Sequence, residues 1–178
     1  MENMPLMPPS LSPTEPNALP HFRRSGYIQV DKTRCLTCRE CEVACSLAHE
    51  GECNPELSRI RIDFDDFVPG FPDARICKQC DWPACLYACA DKWGESAIVI
   101  DEATGARVID EDICRGCGTC LKACPLTPER PVLAFKKVGR RRKYFKCDLC
   151  AGRPEGPICV QVCPAHALTY TPADERRR

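Results

Sequence analysis

Cysteine is the residue type in this sequence whose number and spacing point most directly to chemistry. The chain has 178 residues, of which 17 are cysteines. Between Cys114 and Pro125, four cysteines are separated by two, two and three residues, and a proline follows the last of them. This is the spacing of a cubane 4Fe-4S site, in which three thiolates bind one cluster and the fourth binds a second cluster nearby. One such motif therefore predicts a partner motif elsewhere in the chain.

Three more groups of four cysteines carry this spacing or a variant of it. The intervals are two, two and three in the first group, two, four and three in the second, and two, eight and three in the fourth. The four groups predict four 4Fe-4S clusters, with these cysteines as ligands: Cys35, Cys38, Cys41 and Cys45; Cys77, Cys80, Cys85 and Cys89; Cys114, Cys117, Cys120 and Cys124; Cys147, Cys150, Cys159 and Cys163. Cys53 fits no group, and we interpret it as a loop thiol.

Zinc and disulfides are the alternatives for so many cysteines. A structural zinc site takes two Cys-x-x-Cys pairs, and it would leave the middle cysteine of each two-two-three group without a role. Disulfides form in oxidising compartments, whereas residues 1–26 are polar and proline-rich and show no apolar export signal. The sequence therefore favours iron-sulfur clusters and a cytoplasmic location.

Charge and motifs argue against several other functions. Lys plus Arg and Asp plus Glu number 25 each, so no net charge favours nucleic acid or an anionic membrane. No apolar run approaches the roughly 18 residues that cross a bilayer. The sequence shows no triad of nucleophile, base and orienting residue, no phosphate-binding glycine loop and no dinucleotide fingerprint. We therefore predict a non-catalytic electron-transfer protein that does not insert into membranes itself.

Short strands and helices must position the cysteines. A unit of strand, cysteine loop, short helix and strand repeats four times. Alternating apolar residues predict strands at 27–30 and 59–64, and short apolar segments predict strands at 97–100, 107–109, 132–135 and 167–170. This predicts an α+β fold of two tandem, pseudo-symmetric bacterial ferredoxin-like modules over residues 27–170. A proline-rich extended arm at 1–26 and a basic tail at 171–178 flank this domain.

Several polar residues near the cysteines are candidates for a supporting role. A basic hairpin at 136–143, with Gly139 at its tip, is either a docking surface for an acidic partner or a solvated loop. We interpret His49 and His166 as structural histidines, and tuning of a cluster or proton relay is the alternative for His49. Four cations beside ligands either stabilise a reduced cluster or are ordinary surface charges: Arg39, Lys78, Arg115 and Lys146.

With all four groups considered, residues 27–170 resemble the four-cluster ferredoxin subunits of molybdenum and tungsten pterin enzymes. The iron-sulfur subunit of dimethyl sulfoxide reductase is the best-known type. The resemblance implies an outer module from groups 35–45 and 147–163 and an inner module from groups 77–89 and 114–124. It also implies four ligand sets: Cys35, Cys38, Cys41 with Cys163; Cys147, Cys150, Cys159 with Cys45; Cys77, Cys80, Cys85 with Cys124; and Cys114, Cys117, Cys120 with Cys89. The short insertions flanking the 114–124 group lead us to expect an interior position for it in the row of clusters.

The segment after the first group has a narrower resemblance. It is similar to the small ferredoxin subunits of tungsten aldehyde oxidoreductase-type enzymes, including the ATP-independent benzoyl-CoA reductases, and to the ferredoxin partner of carbon monoxide dehydrogenase. The resemblance rests on Cys45-Ser46, His49-Glu50-Gly51, Asn54-Pro55 and Ser58-Arg59-Ile60.

This resemblance implies electron transfer in anaerobic metabolism between a large pterin-binding catalytic subunit and a further redox subunit or a soluble ferredoxin. The alternatives are a free-standing polyferredoxin, a subunit of a dimethyl sulfoxide reductase-type enzyme, hydrogenase or carbon monoxide dehydrogenase, and a structural or maturation iron-sulfur protein.

Overall fold

The computed structural model describes residues 24–64, 68 and 71–175. The predicted arm at 1–26 therefore lies outside the described residues except for its last three positions. Residues 176–178 of the predicted basic tail lie outside them as well.

Short strands and helices alternate along the described chain. The strands are β1 (Tyr27–Val30), β2 (Ile60–Phe64), β3 (Pro72–Ile76), β4 (Ile98–Ile100), β5 (Arg107–Ile109), β6 (Leu133–Val138), β7 (Arg141–Lys146) and β8 (Leu168–Thr171). The helices are α1 (Glu40–Glu50), α2 (Ala84–Trp93), α3 (Thr119–Ala123) and α4 (Ile158–Gln161), with a 3-10 turn at Pro55–Leu57. Among the described residues, none of the helices has the length and apolar composition needed to cross a membrane.

Each strand pairs with one antiparallel partner, which gives four two-stranded sheets: β1 with β8, β2 with β3, β4 with β5, and β6 with β7. The first sheet joins the two ends of the domain, with Ile28 opposite Tyr170 and Val30 opposite Leu168. The mixture of short antiparallel strands and short helices confirms the predicted fold class.

The helices carry the cysteines and pack in pairs. Cys41 and Cys45 lie four residues apart on α1, and Cys85 and Cys89 are spaced in the same way on α2, so each pair shares one face of its helix. Helix α1 packs against α4, and α2 packs against α3. The first group of cysteines thus lies beside the fourth, and the second beside the third.

The apolar core has two parts, and both contain cysteines. One part joins β1, β2, β3 and β8 through residues such as Ile28, Ile60 and Leu168, and it includes buried Cys41 and Cys45. The other part is built from Leu86, Ile98, Cys120, Leu133 and Tyr144. Most of the grouped thiols are therefore packed within or against the apolar core.

Candidate cluster-binding sites

Site 1 is a cavity between the first and last parts of the domain. Four cysteines line it: Cys35, Cys38, Cys41 and Cys163. The pairing of β1 with β8 brings them together, because one strand leads into the first group and the other follows the fourth. Val30 and Ile62 are among the apolar residues that complete the wall.

Site 2 is a group of four buried thiols: Cys45, Cys147, Cys150 and Cys159. Burial raises the pKa of Cys159, and the neighbouring thiols of Cys150 and Cys45 raise it further. Burial and then the Cys159 thiol raise the pKa of Cys147 in the same way. Cys45, Cys147 and Cys159 also belong to one core cluster, where α1 packs against α4, so thiols from the first and fourth groups lie next to one another.

Sites 3 and 4 are cavities formed by the second and third groups, where α2 packs on α3. Site 3 is lined by Cys77, Cys80, Cys85 and Cys124, and site 4 by Cys89, Cys114, Cys117 and Cys120. The structure thus gathers the sixteen grouped cysteines into the same four sets that the sequence resemblance implies. The binding of a cluster by each set stays a prediction. Cys53 is exposed and lies in none of the sets.

The Cys-x-x-Cys loops share one backbone feature. In each of them, the residue before the second cysteine has a positive φ: 54° at Thr37, 49° at Gln79, 70° at Gly116 and 59° at Leu149. A left-handed residue at such a point can turn successive amide N–H groups toward one side, which is how backbone loops hold anions and iron-sulfur clusters. This conformation costs a non-glycine residue energy, so its recurrence indicates a shared demand of the loops.

Three of the cysteines that end a group accept a hydrogen bond from a backbone amide further along the chain. The amide of Arg59 lies 3.3 Å from Cys45 Sγ, that of Ala97 lies 3.4 Å from Cys89 Sγ, and that of Ala167 lies 3.3 Å from Cys163 Sγ. Hydrogen bonds to ligand sulfur stabilise negative charge there, which is one of the ways in which proteins set cluster potentials.

The family of the chain follows from comparison with known proteins. Residues 69–172 match the model of the 4Fe-4S dicluster domain. The chain belongs to this family. It is an iron-sulfur protein of the electron-transfer class, and its four groups of cysteines correspond to four 4Fe-4S clusters.

Two relatives of this dicluster protein have names that state an electron-transfer role. The "Aliphatic sulfonate oxidoreductase, polyferredoxin-like subunit" of Pyrococcus furiosus is 41% identical over 139 residues, which are 77% of this chain and 70% of the relative. "Electron transport protein HydN" of Escherichia coli K12 is 33% identical over 156 residues, covering 80% and 85% of the two chains. The resemblance to ferredoxin-type iron-sulfur subunits is therefore confirmed.

A solved structure is also similar to the dicluster protein. It is the active site complex BamBC of benzoyl coenzyme A reductase with benzoyl-CoA. One of its chains is 28% identical, with a TM-score of 0.45 and coverage of 84% of this chain and 81% of that one.

The thiols of the dicluster protein fit clusters as ligands. Burial raises the pKa of Cys41 and of Cys120 to about 12, and that of Cys85 to about 11. These thiols are neutral in the metal-free chain, and the binding of iron must displace their protons, which couples cluster assembly to folding. Four sulfur donors per set are the donor type and number that 4Fe-4S clusters use.

The pKa of the Cys117 thiol is shifted in the opposite direction. Although partial burial opposes it, hydrogen bonding with the Thr119 hydroxyl and with the indole N–H of Trp93 lowers the pKa of Cys117 to about 7. The Trp93 Nε1 atom lies 3.3 Å from the sulfur. Sequence reasoning missed Trp93, because nothing in the order of residues shows that the end of α2 lies against the third cysteine loop.

Of the four predicted tuning cations, Lys146 is the one buried in the protein, with 2% exposure. It lines site 3 together with Arg107 and donates to the carbonyl oxygens of Arg107 and Cys147. Its charge acts to lower the pKa of Cys85, against the larger effect of burial. Arg39, Lys78 and Arg115 are exposed.

An ion cluster beside site 2 was also missed. His49 and Arg59 both pair with Asp148, with His49 Nε2 3.1 Å from Asp148 Oδ1 and Arg59 paired to the other carboxylate oxygen. Two further ion pairs, of 2.6 Å and 2.8 Å, join Lys136 to Glu50 and to Glu111. The one signal available from the sequence was the position of His49 four residues after Cys45.

Proposed function

We propose that this chain is a non-catalytic wire that carries electrons through four 4Fe-4S clusters. It connects a large tungsten- or molybdenum-pterin catalytic subunit with a second redox partner. The observation that carries the proposal is that the four sets of cysteines lie beside one another in two connected parts of the core, from which we infer a linear order of sites. Sites 1 and 2 form one ferredoxin-like module, and sites 3 and 4 form the other.

The order follows from thiols that influence one another across neighbouring sites. Beyond the effect of burial, Cys41 of site 1 raises the pKa of Cys159 in site 2. Cys77 of site 3 does the same to Cys147 of site 2. Cys85 of site 3 likewise raises the pKa of Cys120 in site 4. The packing agrees with these influences. Cys41, Cys147 and Cys159 belong to one core cluster, and Cys77 packs against it. Cys85 packs against the cluster that contains Cys120. Together they support a row that runs from site 1 through sites 2 and 3 to site 4.

Exposure changes along this row in the way that a wire requires. Cys38 at site 1 and Cys117 at site 4 are exposed, whereas all four thiols of site 2 are buried. Solvent exposure and local charge set cluster potentials. The buried thiols of site 2 therefore shield a cluster there from solvent. Sites 1 and 4, with their exposed ligands, are where an electron can enter and leave the protein.

The nature of the catalytic partner rests on the first loop and on the relatives. The segment from Cys45 to Ile60 resembles the small ferredoxin subunits of tungsten aldehyde oxidoreductase-type enzymes. The Pyrococcus furiosus relative is itself named as a polyferredoxin-like subunit of an oxidoreductase. Both features support a large redox enzyme as the partner.

Alanine substitution of one exposed ligand at each end tests the wire. Cys38→Ala and Cys117→Ala should each lower the iron content from about 16 per chain by roughly one to four. Each should also interrupt electron flow to the native acceptor while the partner still binds its substrate. Cys53→Ala is the matched control and should change neither quantity. Unchanged turnover with the native acceptor in both ligand variants would overturn the proposal.

Copurification separates this function from a free-standing polyferredoxin. The untagged chain should be recovered at a fixed ratio with a tagged large subunit that contains tungsten or molybdenum. Recovery of the chain alone, with all clusters redox-active, would favour the free-standing protein instead.

A further inference from the structure

The sulfur of Cys117 is connected to the protein surface by one aromatic side chain. Trp93 donates its indole N–H to this exposed thiol and is itself 38% exposed. The ring therefore reaches from site 4 to solvent. Among the described residues, Cys117 at site 4 is an exposed ligand that is hydrogen-bonded to an exposed aromatic side chain, and Cys38 at site 1 has no hydrogen bond of this kind.

Two cations lie over the Trp93 ring. The guanidinium of Arg115 is 4.5 Å from the ring centroid and the ammonium of Lys92 is 5.5 Å from it. Both residues are exposed. Cation contacts of this kind hold the ring in place, and they put two positive charges at the edge of site 4.

The basic hairpin adds further charge to the same face, because its second strand packs on the third cysteine loop. A Cβ on Gly116 would lie 2.2 Å from the carbonyl oxygen of Arg142. Lys143 Nζ donates to the carbonyl oxygen of Cys114 at 3.0 Å. Arg140, Arg141 and Arg142 at the turn are exposed. The hairpin is thus fixed beside site 4 by the close approach of Gly116 to the Arg142 carbonyl and by the hydrogen bond from Lys143.

Charge distinguishes this end of the row from the other. Three segments surround site 4: 91–95, 112–117 and 139–142. They present five exposed cations, Lys92, Arg115, Arg140, Arg141 and Arg142, and three exposed acids, Asp91, Glu95 and Asp112. The described loop at site 1 presents Arg34 and Arg39 against Asp31 and Glu40, with Leu36 67% exposed between them. Positive charge is therefore in excess at site 4 and balanced at site 1.

We propose that this basic face, formed by Trp93, Lys92, Arg115 and the 139–142 turn, is the docking surface of an acidic one-electron carrier protein. The proposal rests on the function proposed above and assigns its second redox partner to one end of the row. Complementary charge steers such encounters and mainly raises the association rate. In the transfer itself the reduced carrier loses one electron and the cluster at site 4 gains it, or the reverse, and no bond or proton is exchanged.

The test is stopped-flow transfer of electrons to the cluster-loaded full chain from a purified acidic bacterial ferredoxin that has been reduced beforehand. Arg115→Gln and the double variant Arg141→Gln/Arg142→Gln should each lower the second-order rate constant about 3- to 10-fold at low salt. The difference should vanish near 0.5 M salt, where exposed charges are screened. Arg34→Gln removes an exposed cation beside Cys35 at the other end of the row and should leave the rate constant unchanged. An equal or larger effect of Arg34→Gln, or rates that do not depend on salt, would overturn the assignment.

Reduction by dithionite, followed by electron paramagnetic resonance, separates the two levels of the proposal. If all clusters cycle with dithionite and the site 4 variants still react with ferredoxin at the native rate, the docking surface is wrong and the wire stands. If the clusters do not cycle at all, both fail.

Discussion

His49 donates its Nε2 proton to Oδ1 of Asp148 at 3.1 Å, 99 positions away in the chain. Its other ring nitrogen, Nδ1, lies 2.8 Å from the carbonyl oxygen of Cys45 and 3.7 Å from the sulfur of the same residue. Both ring nitrogens thus face acceptors, so both carry protons. Burial opposes a charged ring, but the hydrogen bonds to Asp148, Cys150 and Cys45 prevail and raise the pKa of His49. A fixed positive charge therefore lies beside site 2.

His49→Gln should lower the reduction potential of the cluster at site 2. A reduced cluster is more negative, and the imidazolium stabilises it. Hydrogen bonds to charged groups contribute about 1.5–3 kcal/mol, which corresponds to roughly 60–130 mV for a one-electron couple. Potentiometric titration followed by electron paramagnetic resonance measures the shift.

His166→Gln is the control for this shift. His166 is exposed and follows Cys163 by three residues, so it offers the same side chain near a cluster without the buried ion pair. Its substitution should move no potential by more than about 10–20 mV, since exposed charges are screened by water. A similar shift in both variants would show that the buried pair has no special role.

Trp93→Phe should lower the potential of the cluster at site 4 alone. The phenyl ring keeps most of the apolar contact but cannot donate to Cys117 Sγ. The loss of one neutral hydrogen bond is worth about 0.5–1.5 kcal/mol, or roughly 20–60 mV. The other three potentials serve as internal references. A shift that appeared in all four clusters would point to a general loosening of the fold rather than to this bond.

Gly116→Ala should impair assembly of the cluster at site 4. The residue has a φ of 70°, and an added Cβ would meet the Arg142 carbonyl oxygen at 2.2 Å, so the loop and β7 would have to separate. Gly139→Ala is matched in backbone conformation, with a φ of 60°, but an added Cβ there meets nothing within 4 Å. Iron analysis should give about four irons fewer for Gly116→Ala and an unchanged content for Gly139→Ala. Equal iron loss in both would attribute the effect to backbone strain alone.

The parts of the fold that were predictable are those set by local pattern. Strand β1 occupies the predicted residues 27–30, and the hairpin turns at Gly139 as expected. Strand β3 was missed because two of its three buried positions are Pro72 and Ala74, which are weak strand formers, although polar Asp73 and Arg75 alternate with them. Its pairing with β2 makes the pattern visible, since Arg75 forms an ion pair with Asp63 at 2.7 Å across the sheet.

The electrostatics of the sites depends on contacts between residues that are distant in the chain, and it could not be predicted from the order of residues in the sequence. Asp148 and His49 meet only in the folded chain. Lys146 could not be told apart from Arg39 or Lys78 by its position next to a cysteine, yet it alone of the three is buried. The expected interior position of the 114–124 group stays a prediction, and the row proposed above does not follow it, since Cys117 is exposed while every thiol of site 2 is buried. The length of a flanking insertion reports the size of a loop and not the depth of the ligand.

Asp73→Asn should shorten the lifetime of the folded, cluster-loaded protein. The Asp73 carboxylate accepts from Lys32 at 2.8 Å and from Arg130 at 2.6 Å, so it ties β3 to loops 41 and 57 positions away. Although burial opposes it, these cations lower the pKa of Asp73 below 3.8. The charge therefore stabilises the fold fully above the ordinary carboxyl pKa, and the contribution is lost only as the pH falls through the lower folded value.

Because Lys32 and Arg130 are partly exposed, we expect Asp73→Asn to lower the free energy of unfolding by about 1 kcal/mol. Its clusters should then be lost up to about fivefold faster in guanidinium. The rate of absorbance decay is the appropriate measure, since unfolding with loss of clusters is irreversible. Asp63→Asn removes the Asp63–Arg75 pair within the β2–β3 hairpin and should cost less, because that pair links no distant segments. The deficit of Asp73→Asn, which is its loss of stability relative to the native protein, should stay constant between pH 6 and 9. In this range the native carboxylate is fully ionised in both the folded and the unfolded chain. A deficit that changed across this range would contradict an ionic origin.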